Sequence, residues 1–243
     1  RQMCIRDRVD IYNRAKKLHI AANARRVVFL VDTAQEKDNA SMECIRSLLG
    51  SKTGDFITAV DEKSIIVVKE LASEEGYQEM EKTAKQILNV LPAEKQEVSH
   101  IAYGTIVEEI KEVSRSYKEA RMAMDVGRIF FEEKNIIAYS SLGIGRLIYQ
   151  LPMSLCNMFI KEVFGEKIPD ILDDEEAMST INKFFENNLN ISETARQLYV
   201  HRNTLVYRLE RIEKAIGLDI RTFDDAMTFR IAVMVIAHMR DQM

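Results

Sequence analysis

The sequence predicts an α+β front domain followed by an all-α domain, and three observations predict it. Apolar, β-branched runs such as RRVVFLVD (25–32) and SIIVVKE (64–70) lie in the first 140 residues and read as strands. From about residue 170 onward, apolar side chains recur at helical spacing. Only nine Gly and three Pro occur in 243 residues, so long helices run without interruption. The length accommodates two domains, and 47% hydrophobic with 30% charged residues is the composition of a globular chain.

Taken in order, DIYNRAKKL (10–18) reads as a short helix and 25–32 as a buried strand. NASMECIRSLL (39–49) is a helix started by Asn39 or Ser41 and stopped by Gly50. FITAV (56–60) and SIIVVKE (64–70), divided by Asp61, Glu62 and Lys63, form a hairpin. A helix from about Glu74 to Val90, a strand near VSHIAYG (98–104), a long helix from about Val107 to Gly127 and a strand NIIAY (135–139) follow. The order β-α-β-β-α-β, extended by one helix and one strand, is the split βαβ arrangement of ferredoxin-like sheets. Leu142 to Tyr149 and Pro152 to Phe164 read as connecting helices, GEKIPDILDD as a boundary, and about 174–189, 192–199, 202–216 and 223–240 as helices. The expected organisation is an N-terminal remnant and linker helix (1–24), a sheet domain (25–140), connecting helices (141–172) and a helical domain (173–243).

Several functions are disfavoured. Cys4, Cys44 and Cys156 are odd in number and widely spaced, which predicts reduced thiols rather than a disulfide frame or zinc site. His19, His100, His201 and His238 lack metal spacing, and Gly143-Ile144-Gly145 is too short for a phosphate loop and reads as a helix-start turn. No metal and no cofactor is expected. The longest apolar run, Ala226 to Met239, has 14 residues and contains Arg230 and His238, too short for a membrane span. The opening RQMCIRDRVD is too charged for a signal peptide, so a cytoplasmic location is expected. It lacks a leading Met and resembles a translated sequencing-adapter remnant. Residues 1 to about 8 are therefore expected to be foreign, with an upstream domain missing.

The net charge is -4, unevenly spread. Residues 190–243 hold eight Arg or Lys against seven Asp or Glu, net +1, leaving 26 against 31, net -5, before them. Within SETARQLYVHRNTLVYRLERI (192–212), Arg196, Arg202, Arg208 and Arg211 face only Glu193 and Glu210, a local excess suited to phosphate. The runs EEKN (132–135) and DDEE (173–176) read as solvated faces or helix starts.

That stretch has the pattern of a helix-turn-helix. Ala195, Leu198, Val200, Leu205 and Leu209 take the inward positions, Ser192 is the expected N-cap, and the turn falls at Tyr199 and Val200, with Tyr199 where glycine is usual. At about 100° per residue, Leu205, Leu209, Ile212 and Ile216 form one stripe on the second helix. Asn203, Tyr207, Glu210 and Lys214 oppose it, flanked by Arg202, Val206 and Arg211. The start of such a helix enters the major groove. There Arg202 suits guanine, Asn203 adenine, and Val206 a thymine methyl, with Tyr207 also in reach of base edges. Thr204 and Arg208 suit phosphate or bracing of the first helix, and His201, at a capping position, suits phosphate as a second task. Plain helix packing gives a similar pattern, with Tyr207 covering the core and His201 satisfying a backbone group.

The run HRNTLVYRLERIEKAIGLDIRTFDDAMTFRIAVMV (201–235) resembles the C-terminal helix-turn-helix of the PucR and CdaR family of bacterial transcription regulators, including the Gly217-Leu218-Asp219 exit. YGTIVEEIKEVSRSYKEARMAMDVG (103–127) resembles the second half of the degenerate GGDEF-like domain of the CdaR branch. The resemblance implies a sequence-specific regulator of a metabolite utilisation pathway, with double-stranded DNA as partner. It also implies a small-molecule effector held by an absent N-terminal sensory domain. Two rivals stand beside it, a helical protein-interaction module and a GGDEF-related nucleotide-binding or cyclase enzyme with a DNA-binding appendage. Against the latter, the hairpin turn reads Ala59-Val60-Asp61-Glu62-Lys63-Ser64, without the paired glycines that let a nucleotide approach the backbone and without a two-metal acidic set. No catalytic residue is expected, and Asp61 and Glu62 read as a solvated turn. Finally, AMTFRIAVMVIAHM (226–239) is apolar on nearly every face and needs cover all round. A homodimer or higher homo-oligomer is expected to supply it, the alternative being that residues 142–189 fold back over this helix.

Overall fold

The computed structural model describes residues 11, 13–33, 39–49, 54–59 and 64–242. Residues 1–10 with Cys4, the Gly50 stop and the hairpin turn carrying Asp61 and Glu62 lie outside them. The chain divides into two compact units, Arg1–Arg146 and Leu147–Met243.

In the first unit a short helix, α1 (residues 13–17), leads into β1 (Asn23–Asp32), the central strand. Helix α2 (Asn39–Leu49), strands β2 (Phe56–Ala59) and β3 (Ser64–Glu70), helices α3 (Tyr77–Val90) and α4 (Ala93–Gln96) and strand β4 (His100–Tyr103) follow. The sheet order β2-β3-β1-β4 is antiparallel throughout, and β6 (Ile136–Ala138) adds a parallel edge beside β4. The first four strands form the ferredoxin-like arrangement, and two further strands join the sheet, β6 beside β4 and a short one beside β1. Seven consecutive residues of β1 are buried because both its faces are covered, which explains the unbroken apolar run. Val27, Phe29 and Val31 share a core with Ile45 and Leu49 of α2 and Met80, Ala84 and Ile87 of α3. Helix α5 (Val113–Phe130) packs on β1 and β4, and its Ala120, Ala123 and Gly127 are small and buried. A Cβ at Gly127 would stand 2.1 Å from Ile137 Cδ1.

The expected helix start at Val107 is overturned. Val107–Glu109 form β5, which pairs β1 through Arg26↔Val107 and Asn23↔Glu109, and α5 begins only at Val113 after a 3-10 turn. Local propensity yields here to a free edge on β1. Between β4 and β5 the ladder is broken at Gly104 and repaired by substitutes. Gly104 N–H donates to Val28 O (3.1 Å), and Ser116 Oγ accepts from Val28 N–H (3.0 Å) while donating to Thr105 O (2.8 Å). Thr105 is held in turn by Glu119, which accepts from its N–H at 2.8 Å. This close approach needs a bare Cα.

The second unit is helical. It comprises the second half of α6 (Ile144–Tyr149), then α7 (Met153–Phe164), α8 (Glu175–Glu186), α9 (Ile191–Gln197), α10 (Arg202–Ile216) and α11 (Phe223–Asp241). Much of the cover that α11 was expected to need from a second subunit comes from its own chain. Helix α7 lies along it, the Phe164 and Phe185 rings meet Phe229 edge-on at 6.4 and 6.3 Å, and the Tyr149 ring meets His238 at 5.6 Å. Val235 is 1% exposed within the single chain. Tyr149, α7, Phe164 and Phe185 all lie within residues 142–189, the segment whose fold-back is the alternative to cover by a second subunit. Exposed apolar side chains on α11 are Phe223 and Met227.

A Cβ at Gly104 would lie 2.1 Å from the Ser116 carbonyl oxygen, which belongs to backbone and cannot swing away. Gly104→Ala is expected to destabilise the first unit by about 3 kcal/mol, read as a lowered urea midpoint with unchanged slope, whereas Gly76→Ala, where nothing lies within 4 Å, leaves the midpoint within about 0.5 kcal/mol.

Candidate nucleic-acid interface

The helix-turn-helix is built by three helix ends. α8 closes in a Schellman turn, with Leu189 N–H on Phe184 O and Asn188 N–H on Phe185 O, both at 3.0 Å. Asn188 and Leu189 are left-handed, which swings Asn190 into the N-cap of α9. Asn190 Oδ1 accepts from Glu193 N–H at 3.1 Å, and Thr194 Oγ1 donates to Asn190 O at 2.8 Å. Ser192, the expected cap, instead sits one residue inside the helix. α9 ends in a second Schellman turn, Tyr199 N–H on Arg196 O (3.2 Å) and Val200 N–H on Ala195 O (3.0 Å). Its left-handed residue is Tyr199 at φ 55°, a conformation that costs a non-glycine residue about 1 kcal/mol or more.

His201 then caps α10, its Nδ1 accepting from Asn203 N–H at 3.2 Å. With Nδ1 as acceptor, a neutral ring carries its proton on Nε2. Along α10, Leu205, Leu209, Ile212 and Ile216 are buried against Ile181, Phe184, Ala195 and Phe229. The residues singled out for DNA fall on the remaining surface. His201, Arg202, Asn203, Thr204, Tyr207 and Arg211 are exposed, and Val206 and Arg208 are half-buried. They form one continuous face starting at the helix N-terminus, where unpaired backbone N–H groups favour anions.

The structure adds partners that sequence reasoning missed. Arg208 pairs with Glu176 at 2.7 Å and Arg211 with Asp174 at 3.8 Å. Asp174 also caps α8, accepting from Glu176 and Ala177 N–H. The DDEE run is a helix start, as its composition indicated, but it also faces the arginines of α10. Arg196 is engaged by Glu193 at 2.5 Å, and that guanidinium holds the Glu193 carboxyl below its ordinary range. Among the described residues, Arg202 has no acidic partner.

The exit from α10 is clasped. Gly217 is left-handed at φ 76°, and Asp219 accepts from Arg221 N–H (3.1 Å) and Nε (2.6 Å) while its own N–H donates to Asp225 (2.9 Å). Arg221 also reaches Glu213 of α10 at 2.5 Å. The Arg221 guanidinium holds the Asp219 carboxyl below the usual carboxylate range.

Residues 177–235 match the model of the PucR C-terminal helix-turn-helix domain, and residues 5–126 match that of the GGDEF-like domain. The chain belongs to the PucR/CdaR family. PucR/CdaR relatives include the carbohydrate diacid regulator of Escherichia coli (strain K12), 26% identical over 91% of this chain and 60% of its own length. The purine catabolism regulatory protein of Bacillus subtilis (strain 168) is 27% identical over 55% of this chain and 25% of its own. The DNA-binding transcriptional activator AdeR of the same strain is 26% identical over 73% and 43%. This PucR/CdaR chain therefore spans between a quarter and three-fifths of these relatives. In its front unit, no group of three or more His, Cys, Asp or Glu that could hold a metal occurs among the described residues, and no described helix is long and apolar enough to cross a membrane.

Two measurements check the local account. Asn190→Ala is expected to cost about 1 kcal/mol through the lost cap, and Ser192→Ala less than about 0.5 kcal/mol, both from urea unfolding. The folded-state pKa of Asp219 is depressed by Arg221, so its contribution is present above the unfolded value near pH 3.9 and is lost as pH falls through the lower folded one. Thermal melts of Asp219→Asn should therefore lie below wild type at neutral pH, with the gap closing below about pH 4.

Proposed function

We propose that this chain is a sequence-specific transcription regulator that reads double-stranded DNA with the N-terminal turn of α10. The observation that carries the reading is the run His201, Arg202, Asn203, Thr204. These are four consecutive exposed side chains at the start of a helix whose other face is locked in a core. Arg202 pairs with guanine, Asn203 with adenine, and Val206 and Tyr207 touch base edges deeper in the groove. His201 caps with Nδ1 and offers Nε2–H to a phosphate. Thr204, Arg208 and Arg211 contact the backbone, the two arginines by exchanging carboxylates of α8 for phosphates.

A homodimer is the working assembly, because one such motif makes few base contacts and two-fold pairing reads half-sites about one turn apart. The first unit transmits or assembles rather than catalyses. Its hairpin turn, AVDEKS in sequence, lacks the glycines a nucleotide-binding turn needs. The relatives' names, a purine catabolism and a carbohydrate diacid regulator, support control of a metabolite utilisation pathway. The reading includes a small-molecule effector bound outside this chain's two units. A DNA partner implies a cytoplasmic site of action.

Titrating a selected operator tests the assignment. Arg202→Ala or Asn203→Ala should each lose about 1–3 kcal/mol and relax preference at one position, while Arg211→Ala should weaken binding to all sequences alike and reduce the salt slope by roughly 0.9. Wild-type binding by both classes of variant would refute the helix assignment.

A further inference from the structure

The left-handed residue between α9 and α10 is unusual in a way the fold does not explain. Among the described residues, four non-glycines adopt positive φ, namely His19, Asn188, Leu189 and Tyr199. His and Asn are among the types that tolerate this region. Leu189 is half-buried and packs against the core of its unit, so burial offsets its strain. Tyr199 has neither excuse. It is 97% exposed, and its hydroxyl makes no hydrogen bond among the described residues. The equivalent place after α10 is taken by Gly217 at φ 76°, which shows what the same turn uses when no side chain is wanted. Replacing Tyr199 by glycine would cost the fold no contact and relieve its backbone.

We infer that Tyr199 is a DNA-backbone contact, its ring lying along a deoxyribose at the groove edge and its hydroxyl donating to a phosphate oxygen. The inference rests on the DNA reading of α10. Tyr199 precedes the capping His201 by two residues, so it stands beside the helix end that enters the groove. Both hydrogen bonds of its turn are made, so the ring projects from a fixed backbone position. Tyrosine is among the side chains that donate to phosphate, and such contacts set register rather than sequence. A tyrosine side chain brings no cationic charge to the phosphate. Its contact therefore displaces no condensed cations and acts equally at all salt concentrations, unlike an arginine contact.

The test compares wild type, Tyr199→Gly and Tyr199→Phe in the full chain by thermal melting, by sedimentation of the free protein, and by anisotropy titration of a selected duplex across a salt series. Tyr199→Gly is expected to melt higher than wild type yet bind about tenfold more weakly, with an unchanged salt slope. Tyr199→Phe is expected to lose part of the affinity and gain no melting temperature. Unchanged affinity in Tyr199→Gly, with wild type binding well, overturns this inference and leaves the α10 assignment standing. An altered sedimentation coefficient in the free variants assigns the ring to a protein contact and also overturns it. A wild type that binds no duplex sinks the DNA reading itself.

Discussion

Burial of one stripe of α10 is the constraint on which the second unit depends. Leu205, Leu209, Ile212 and Ile216 are at most 4% exposed, and each contributes about 1.5–3 kcal/mol by leaving water. A helix turns about 100° per residue, so fixing four residues on one side fixes the direction of all the others. The exposed face from His201 to Arg211 is thus a consequence of packing, held rigid before any ligand arrives. The neighbouring elements serve that stripe. α8 and α9 supply Ile181, Phe184 and Ala195, and α11 supplies Phe229, itself braced by Phe164 and Phe185.

Charge is arranged on top of this frame. A local excess of arginine on the two helices is largely matched, since Glu193, Glu176 and Asp174 engage Arg196, Arg208 and Arg211. Exposed pairs of this kind are weak, typically below about 1 kcal/mol, and so yield readily to a phosphate. They also lower the attraction for DNA of arbitrary sequence. Arg202, unpaired among the described residues, sits at the first position of α10, where the proposed reading calls for a base-contacting side chain. An acidic protein with a selective DNA face is consistent on these terms.

Much of this was legible in the sequence, and the misses share a cause. Apolar, β-branched runs placed β1 and β3, and period-3.6 patterns placed α2 and α10, because each element buries a continuous surface. The hairpin order likewise anticipated the sheet. Val107–Glu109 read as helix because three residues carry no period, and only the edge of β1 makes them a strand. Ser192 looked like a cap because the left-handed pair Asn188 and Leu189, which puts Asn190 there, has no glycine to announce it. The cover of α11 by α7 and the pairing of DDEE with α10 join segments far apart in sequence. Composition gives the charges and apolar residues but not who meets whom.

Methylation interference on a selected operator tests the central claim most directly, because dimethyl sulfate marks guanine N7 in the major groove and adenine N3 in the minor groove. If α10 reads the major groove, methylated guanines within each half-site should be excluded from the bound fraction, while methylated adenines there are tolerated. Exclusion confined to methylated adenines, or no exclusion at either base, would contradict the account.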